Sequence, residues 1–282
     1  MRLEYIDRRG QVLNLTNNPL FKLTNADGLT SVTAELATST VPTMDGDIVN
    51  SVQASPRDIV LDLTIEGPSV ESTKREILKV VKPKQKCTLR MEQDGRELTI
   101  GGVVEQIEMP RFNSLAVMQI SIHCPQPFWE DEIESQTEIS EVLNLFYFTD
   151  YPDDQLALTE EGQPFGEYDT NRTKAFNNDG DAEVGLTISI TALGEVKNPR
   201  VYNTQAQYIG VDLTMHSGDQ VIITTGKGNK TVTLNGENCI SSLSRGSTWL
   251  TLPTGEEELT IDSEDETEGN MYFTVTYKRR YI

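Results

Sequence analysis

Residues 59–65, Ile59-Val60-Leu61-Asp62-Leu63-Thr64-Ile65, carry an apolar side chain at every second position. A period of two puts Ile59, Leu61, Leu63 and Ile65 on one face of an extended chain, the signature of a β-strand with a buried side. The same alternation recurs at 115–122, 186–191, 219–225 and 271–277. The dipeptides Asp94-Gly95, Ser217-Gly218, Asn235-Gly236 and Thr254-Gly255 supply turns in which glycine takes a positive φ without steric cost. Strands punctuated in this way describe a mainly β, antiparallel protein.

Just downstream, the period changes. In 68–83, PSVESTKREILKVVKP, Val70, Ile77, Leu78 and Val81 share one helical face. Ser69 can cap the start, Lys79 and Lys82 suit the negative end of the helix dipole, and Pro83 ends the run. One helix over about 69–82 is expected. Upstream, 30–51 is rich in Thr and Ser, with Pro42 and Asp45-Gly46 at its centre and weak alternation at Val32, Ala34 and Leu36. This reads as a long hairpin arm. Isolated two-stranded ribbons are marginal in water, so the arm must pack on its own domain or on a neighbouring subunit.

At 282 residues the chain is long enough for two compact domains. With 24 basic and 44 acidic side chains its net charge is −20, the wrong sign for gripping phosphates, so specific nucleic-acid binding is not expected. Residues 1–135 carry 14 basic and 20 acidic groups, net −6, and 136–282 carry 10 and 24, net −14. This shift, with the patch Leu143-Asn144-Leu145-Phe146-Tyr147-Phe148 and the poorly patterned acidic stretch after it, divides the chain into domains 1–135 and 136–282. The N-terminus lacks the apolar core of a signal peptide, and no apolar run approaches the ~20 residues that span a bilayer. A soluble protein made in a cytoplasm, without membrane insertion, is expected.

The junction region, His123-Cys124-Pro125-Gln126-Pro127-Phe128-Trp129-Glu130-Asp131, invites both a chemical and a structural reading. In a continuing strand His123 and Cys124 face opposite ways, so the two cannot share a metal. The three cysteines, Cys87, Cys124 and Cys239, are odd in number and widely spaced, which excludes a disulfide scaffold or a four-ligand zinc site. The structural reading is preferred: Pro125 ends the strand, Pro127 stiffens the exit, and Phe128-Trp129 bury aromatic area at a domain junction.

Other chemical candidates fare no better. Gly226-Lys227-Gly228-Asn229-Lys230 lacks phosphate-loop spacing and sits between strands. The acidic runs 256–258 and 262–268 lack a calcium-loop pattern and read as solvated loops. Carboxylates abound, but no pair is marked for glycoside hydrolysis, and Gly-x-Ser-x-Gly is absent. No catalytic, cofactor-binding or metal-ligating residue is assigned, and the chain is not expected to be an enzyme.

Taken in order, several features resemble one family: Asp45-Gly46 in a hairpin, 57–63 leading into a strand, Lys74 to Leu78 in a helix, and Cys124-Pro125-Gln126-Pro127-Phe128 before Trp129. In the second half they are Gly180 to Glu183, Asn198 to Asn203, Asn235-Gly236, Leu252 to Gly255 and the closing 276–282. The order and spacing are similar to the distal tail proteins of long-tailed phages and prophages, the siphovirus tail-component family. Gln126 stands where that family's junction usually has Asp, and Thr254 with the glutamates after it departs from its usual Pro-Gly-Asn.

The resemblance implies an N-terminal, β-sandwich-like ring domain with one helix and a long hairpin arm, followed by a galectin-like antiparallel β-sandwich. It implies a homohexameric ring at the tail tip of the virion. The hairpin would be a belt between neighbours, with Val32, Leu36, Val41, Asp45 and Ile48 as the expected interface residues. Pro125, Pro127, Phe128 and Trp129 would form the domain junction. The implied partners are the tail tube protein, a tail-associated lysin or tail fibre protein, and receptor-binding proteins, around a channel for DNA. Two other classes remain open: a carbohydrate-binding β-sandwich module using Trp249, Tyr202, Tyr208 or Tyr272, and a cell-wall hydrolase, for which a zinc or Cys/His set is missing.

Overall fold

A computed structural model describes residues 1–42, 45–67, 69–93, 95–109, 116–132, 134–138, 142–143, 167–168, 172–264 and 270–282. Pro68, Asp94, Leu115, residues 144–148 of the apolar patch and the acidic residues 265–268 lie outside this set. The chain forms two compact units, Met1–Ile133 with Arg280–Ile282, and Glu134–Arg279.

The first unit is built from β1 (Arg2–Asp7), β2 (Val12–Asn14), β3 (Phe21–Asp27), β4 (Ala34–Ser39), β5 (Ile48–Ala54), β6 (Arg57–Ile65), α1 (Val70–Val80), β7 (Lys86–Gln93), β8 (Arg96–Glu108), β9 (Val117–Cys124) and β10 (Trp129–Asp131). Seven strands pair in the order β2-β1-β7-β8-β9-β6-β3. β10 adds to β8, and the C-terminal pair of residues, Arg280–Tyr281, adds to β10. All the pairings are antiparallel.

β6 shows why the alternation decides the fold: Ile59, Leu61 and Leu63 are fully buried, while Asp58, Val60 and Asp62, which alternate with them, are not. Facing them in register, Ile122, Ile120 and Met118 of β9 are buried too. The same core takes Leu3, Tyr5, Leu89 and Ile100 from neighbouring strands and Ile77 and Val81 from the helix and its end.

The Ser69 side chain accepts a hydrogen bond from the Ser72 N–H at the start of α1, and Lys79 lies in the last turn. One expectation is corrected. Val70 is exposed, and the inward stripe is Thr73, Ile77 and Val81, because the core that the helix covers begins one turn after its start.

The second unit holds two larger antiparallel sheets, besides the short pairs Val142–Leu143 with Glu167–Tyr168 and Val184–Gly185 with Thr251–Leu252. One runs Ser135–Glu138, Met271–Tyr277, Thr187–Ala192, Gln220–Gly226, Asn229–Leu234 and Glu237–Asn238. The other runs Thr173–Asn178, Gly255–Glu264, Val196–Asn203 and Tyr208–Gly210, with Thr214–Met215 added to Val196–Asn203. Ile188, Ile190, Val221, Ile223, Phe273 and Val275 of the first meet Phe176, Val201, Ile209, Leu259 and Ile261 of the second in one core, which makes the unit a sandwich. Asn235 and Gly236, both at positive φ, close the tight turn before Glu237 as the sequence suggests.

The acidic segments depart from expectation. Residues 256–258 and 262–264 lie inside the strand Gly255–Glu264, where a solvated loop was expected. The Glu257 side chain turns inward and accepts from the Thr204 N–H at 3.1 Å and the Thr204 hydroxyl at 2.6 Å. A run of like charges hides a period of two, since inward and outward residues are of one type.

Candidate functional site

The hairpin arm consists of β4 and β5, paired only with each other. No residue of either strand is buried. Leu36 pairs with Val52 and Ala34 with Ala54, and a bulge after Ala37 brings Val49 opposite Thr38. Cross-strand partners share a face, so Ala34, Leu36, Val49, Val52 and Ala54 form one apolar surface. Leu36 is 56%, Val49 52% and Val52 61% exposed, so nothing among the described residues of the single chain covers this face. Gly46, at φ +91°, lies near the tip, and the Ser55 N–H donates to the Thr33 carbonyl at the base.

Of the residues expected on this arm, Leu36 lies at the centre of the apolar face. Ile48, paired with Ser39, falls on the opposite face. Val32 and Val41 are half-buried and flank β4, and Asp45 is exposed near the tip. Val49 and Val52 were missed. Their signal is the repeated aliphatic in Ile48-Val49-Asn50-Ser51-Val52, but the bulge decides which of them face together.

In the stretch expected to form the junction, β9 ends at Cys124 and the chain turns through exposed Pro125 and Gln126, buried Pro127 and half-buried Phe128. Trp129 is fully buried, and its indole N–H donates to the Leu29 carbonyl at 2.9 Å. The same carbonyl accepts from Arg57 Nη1 at 2.6 Å, so one backbone oxygen ties together β6, β10 and the segment before the arm. No side chain at position 29 announces that role, and sequence reasoning missed it. Glu130 is ion-paired with Arg280 at 3.0 Å.

His123 and Cys124 face opposite ways. Cys124 is fully buried, and the exposed His123 ring lies 2.7 Å from Asp58. Burial pushes the Cys87 thiol up to about 12 and the Cys124 thiol up to about 11, so both stay protonated and unreactive near neutral pH. Among the described residues, no group of three or more His, Cys, Asp or Glu side chains is placed to hold a metal ion.

The aromatic candidates for sugar stacking are engaged with other groups. Tyr202 and Tyr208 pack on each other at 5.3 Å, Arg200 lies over the Tyr208 ring, and Lys230 lies over Trp249. Tyr272 is half-buried in the strand Met271–Tyr277.

Comparison with known proteins gives one family model for each half. Residues 8–124 match the phage tail protein RIFT-related domain, and residues 179–281 match the C-terminal domain of the siphovirus-type tail component. Among curated proteins, none matches the sequence. Of solved structures, the chain is similar to SPP1 Dit (gp 19.1), described as a paradigm of the hub adsorption apparatus in phages infecting Gram-positive bacteria. That likeness has a TM-score of 0.67 at 14% identity and covers 99% of each chain. A chain of the phage P2 baseplate in its activated conformation with Ca is similar at TM-score 0.48 and 13% identity, over 99% of this chain and 98% of that one. With its two halves matched in order by the two models and a fold shared end to end with SPP1 Dit, the chain belongs to the siphovirus distal tail protein family and is a structural component of the phage tail.

Proposed function

We infer that the protein is the hub of the distal tail. Copies assemble as a homohexameric ring that joins the tail tube to the tail-associated lysin or fibre protein, carries receptor-binding proteins at its periphery, and passes the genome through its centre. The observation that carries this reading is the hairpin arm. A ribbon with Leu36, Val49 and Val52 uncovered on one face has no self-contained stability, and burial against another copy supplies it. Contacts between unlike patches on successive copies generate a closed ring when the rotation closes. A net charge of −20 also suits a passage through which DNA must slide without sticking. The test is particle mass in solution together with immunogold labelling of virions. A mass of about six times 31.5 kDa and labelling at the tail tip are expected. A monomer at every concentration, or labelling elsewhere on the particle, overturns the reading.

A further inference from the structure

The first unit carries a depression of about 460 Å³, within the roughly 300–1,000 Å³ range of concave binding sites. It lies where Gly101 leaves the middle of β8 without a side chain; a Cβ built there would meet nothing within 4 Å. Its lining includes two acids, two bases and Phe128. Both acids are engaged: Asp7 accepts from the Arg9 and Gln11 N–H groups at 2.8 Å, and Glu130 is paired with Arg280. Both bases, Arg8 and Lys86, are exposed, and their side chains make no hydrogen bond or ion pair to any described residue. On a chain of net charge −20, the recess thus offers two bases with unpaired side chains beside an aromatic wall.

We propose that this recess receives the acidic tip of the hairpin arm of a second copy, with Arg8 and Lys86 pairing with Asp45 and Asp47. Residues 30–54 contain Glu35, Asp45 and Asp47 and no Lys, Arg or His, so the arm is complementary in sign to Arg8 and Lys86. β4 and β5, of six and seven residues, give the arm a reach of about 20 Å at ~3.3 Å per residue. Donor tip and acceptor recess are different patches of one chain, which makes the contact head-to-tail, as a ring requires. The inference rests on the reading of the protein as self-assembling.

The test uses the full chain. Arg8→Glu with Lys86→Glu, and separately Asp45→Lys with Asp47→Lys, should each weaken assembly at least tenfold in apparent Kd. Combining the two reversals should restore assembly, which also shows that the variants fold. Gly101→Tyr, which fills the recess, should weaken assembly without changing the melting temperature. Zero-length cross-linking of a mixture of isotopically light and heavy protein should join Lys86 of one copy to Asp45 or Asp47 of another. If oligomers form but neither charge reversal nor Gly101→Tyr affects them and no such cross-link appears, the docking site is overturned while self-assembly stands. If the wild-type chain never assembles, the self-assembly reading falls and the docking site falls with it.

Discussion

Trp129 and Leu29 show how one residue pair can hold a long-range connection. The indole is fully buried, and its N–H meets a carbonyl 100 positions earlier in the chain. Trp129→Ala leaves a cavity and is expected to cost roughly 3–5 kcal/mol, read from denaturant unfolding of the full chain. Gly28, just before that carbonyl, sits at φ +82°, and a Cβ there would lie 2.1 Å from the Asp58 carbonyl oxygen. Gly28→Ala must therefore shift β6 or the Leu29 carbonyl, and an expression and melting comparison should show a loss at least as large as that of Trp129→Ala. The buried thiols predict a pH effect with a defined sign. Their folded values, about 12 for Cys87 and about 11 for Cys124, lie above the ordinary value of 9.0. Above pH 9 the unfolded thiols lose protons while the folded ones keep them, so their stabilising contribution is full below pH 9 and is lost as pH rises towards 11–12. The melting temperature should fall across that window, and Cys87→Ala with Cys124→Ala should flatten the fall. At pH 7–8 a thiol reagent should modify half-buried Cys239 first.

At the scale of elements, regular periodicity was legible and register was not. The strand 57–65 and the helix with its Ser69 cap follow from spacing alone, because one face must be apolar for the chain to bury it. The arm was legible as a hairpin from its turn residues and its Thr/Ser content. Its apolar face was not, since the bulge after Ala37 re-phases β5 and brings Val49 rather than Ile48 beside Leu36. The full extent of the strand Gly255–Glu264 was hidden for the opposite reason: the charges at its two ends mask the alternation that Glu257, Leu259 and Ile261 follow. The recess was invisible, because Arg8, Lys86 and Gly101 come from three segments that only strand pairing brings together. Because no residue of β4 or β5 is buried, replacing 34–54 with a short turn should leave the melting temperature of the folded chain within a few degrees of wild type while abolishing assembly. Calorimetry and native mass measurement on the same sample check both halves of that expectation.

At the scale of the whole molecule, the last three residues belong with the first 133. Trp129 pairs with Tyr281 and Glu130 with Arg280, and the Tyr281 side chain is buried in the first unit's core. No local pattern could show this pairing, which spans about 150 positions. Removing Arg280–Ile282 strips a strand and an ion pair from the first unit. The truncated chain should therefore show a lowered transition for the first unit and an unchanged one for the second, followed through Trp129 and Trp249 fluorescence respectively. In topological terms, the segment 134–279 is an insertion between two adjacent strands of a host fold, entered and left at neighbouring points. It is thereby exchangeable: a different domain whose ends lie close together could be grafted between Glu132 and Arg280 without rethreading the unit that carries the arm and the recess.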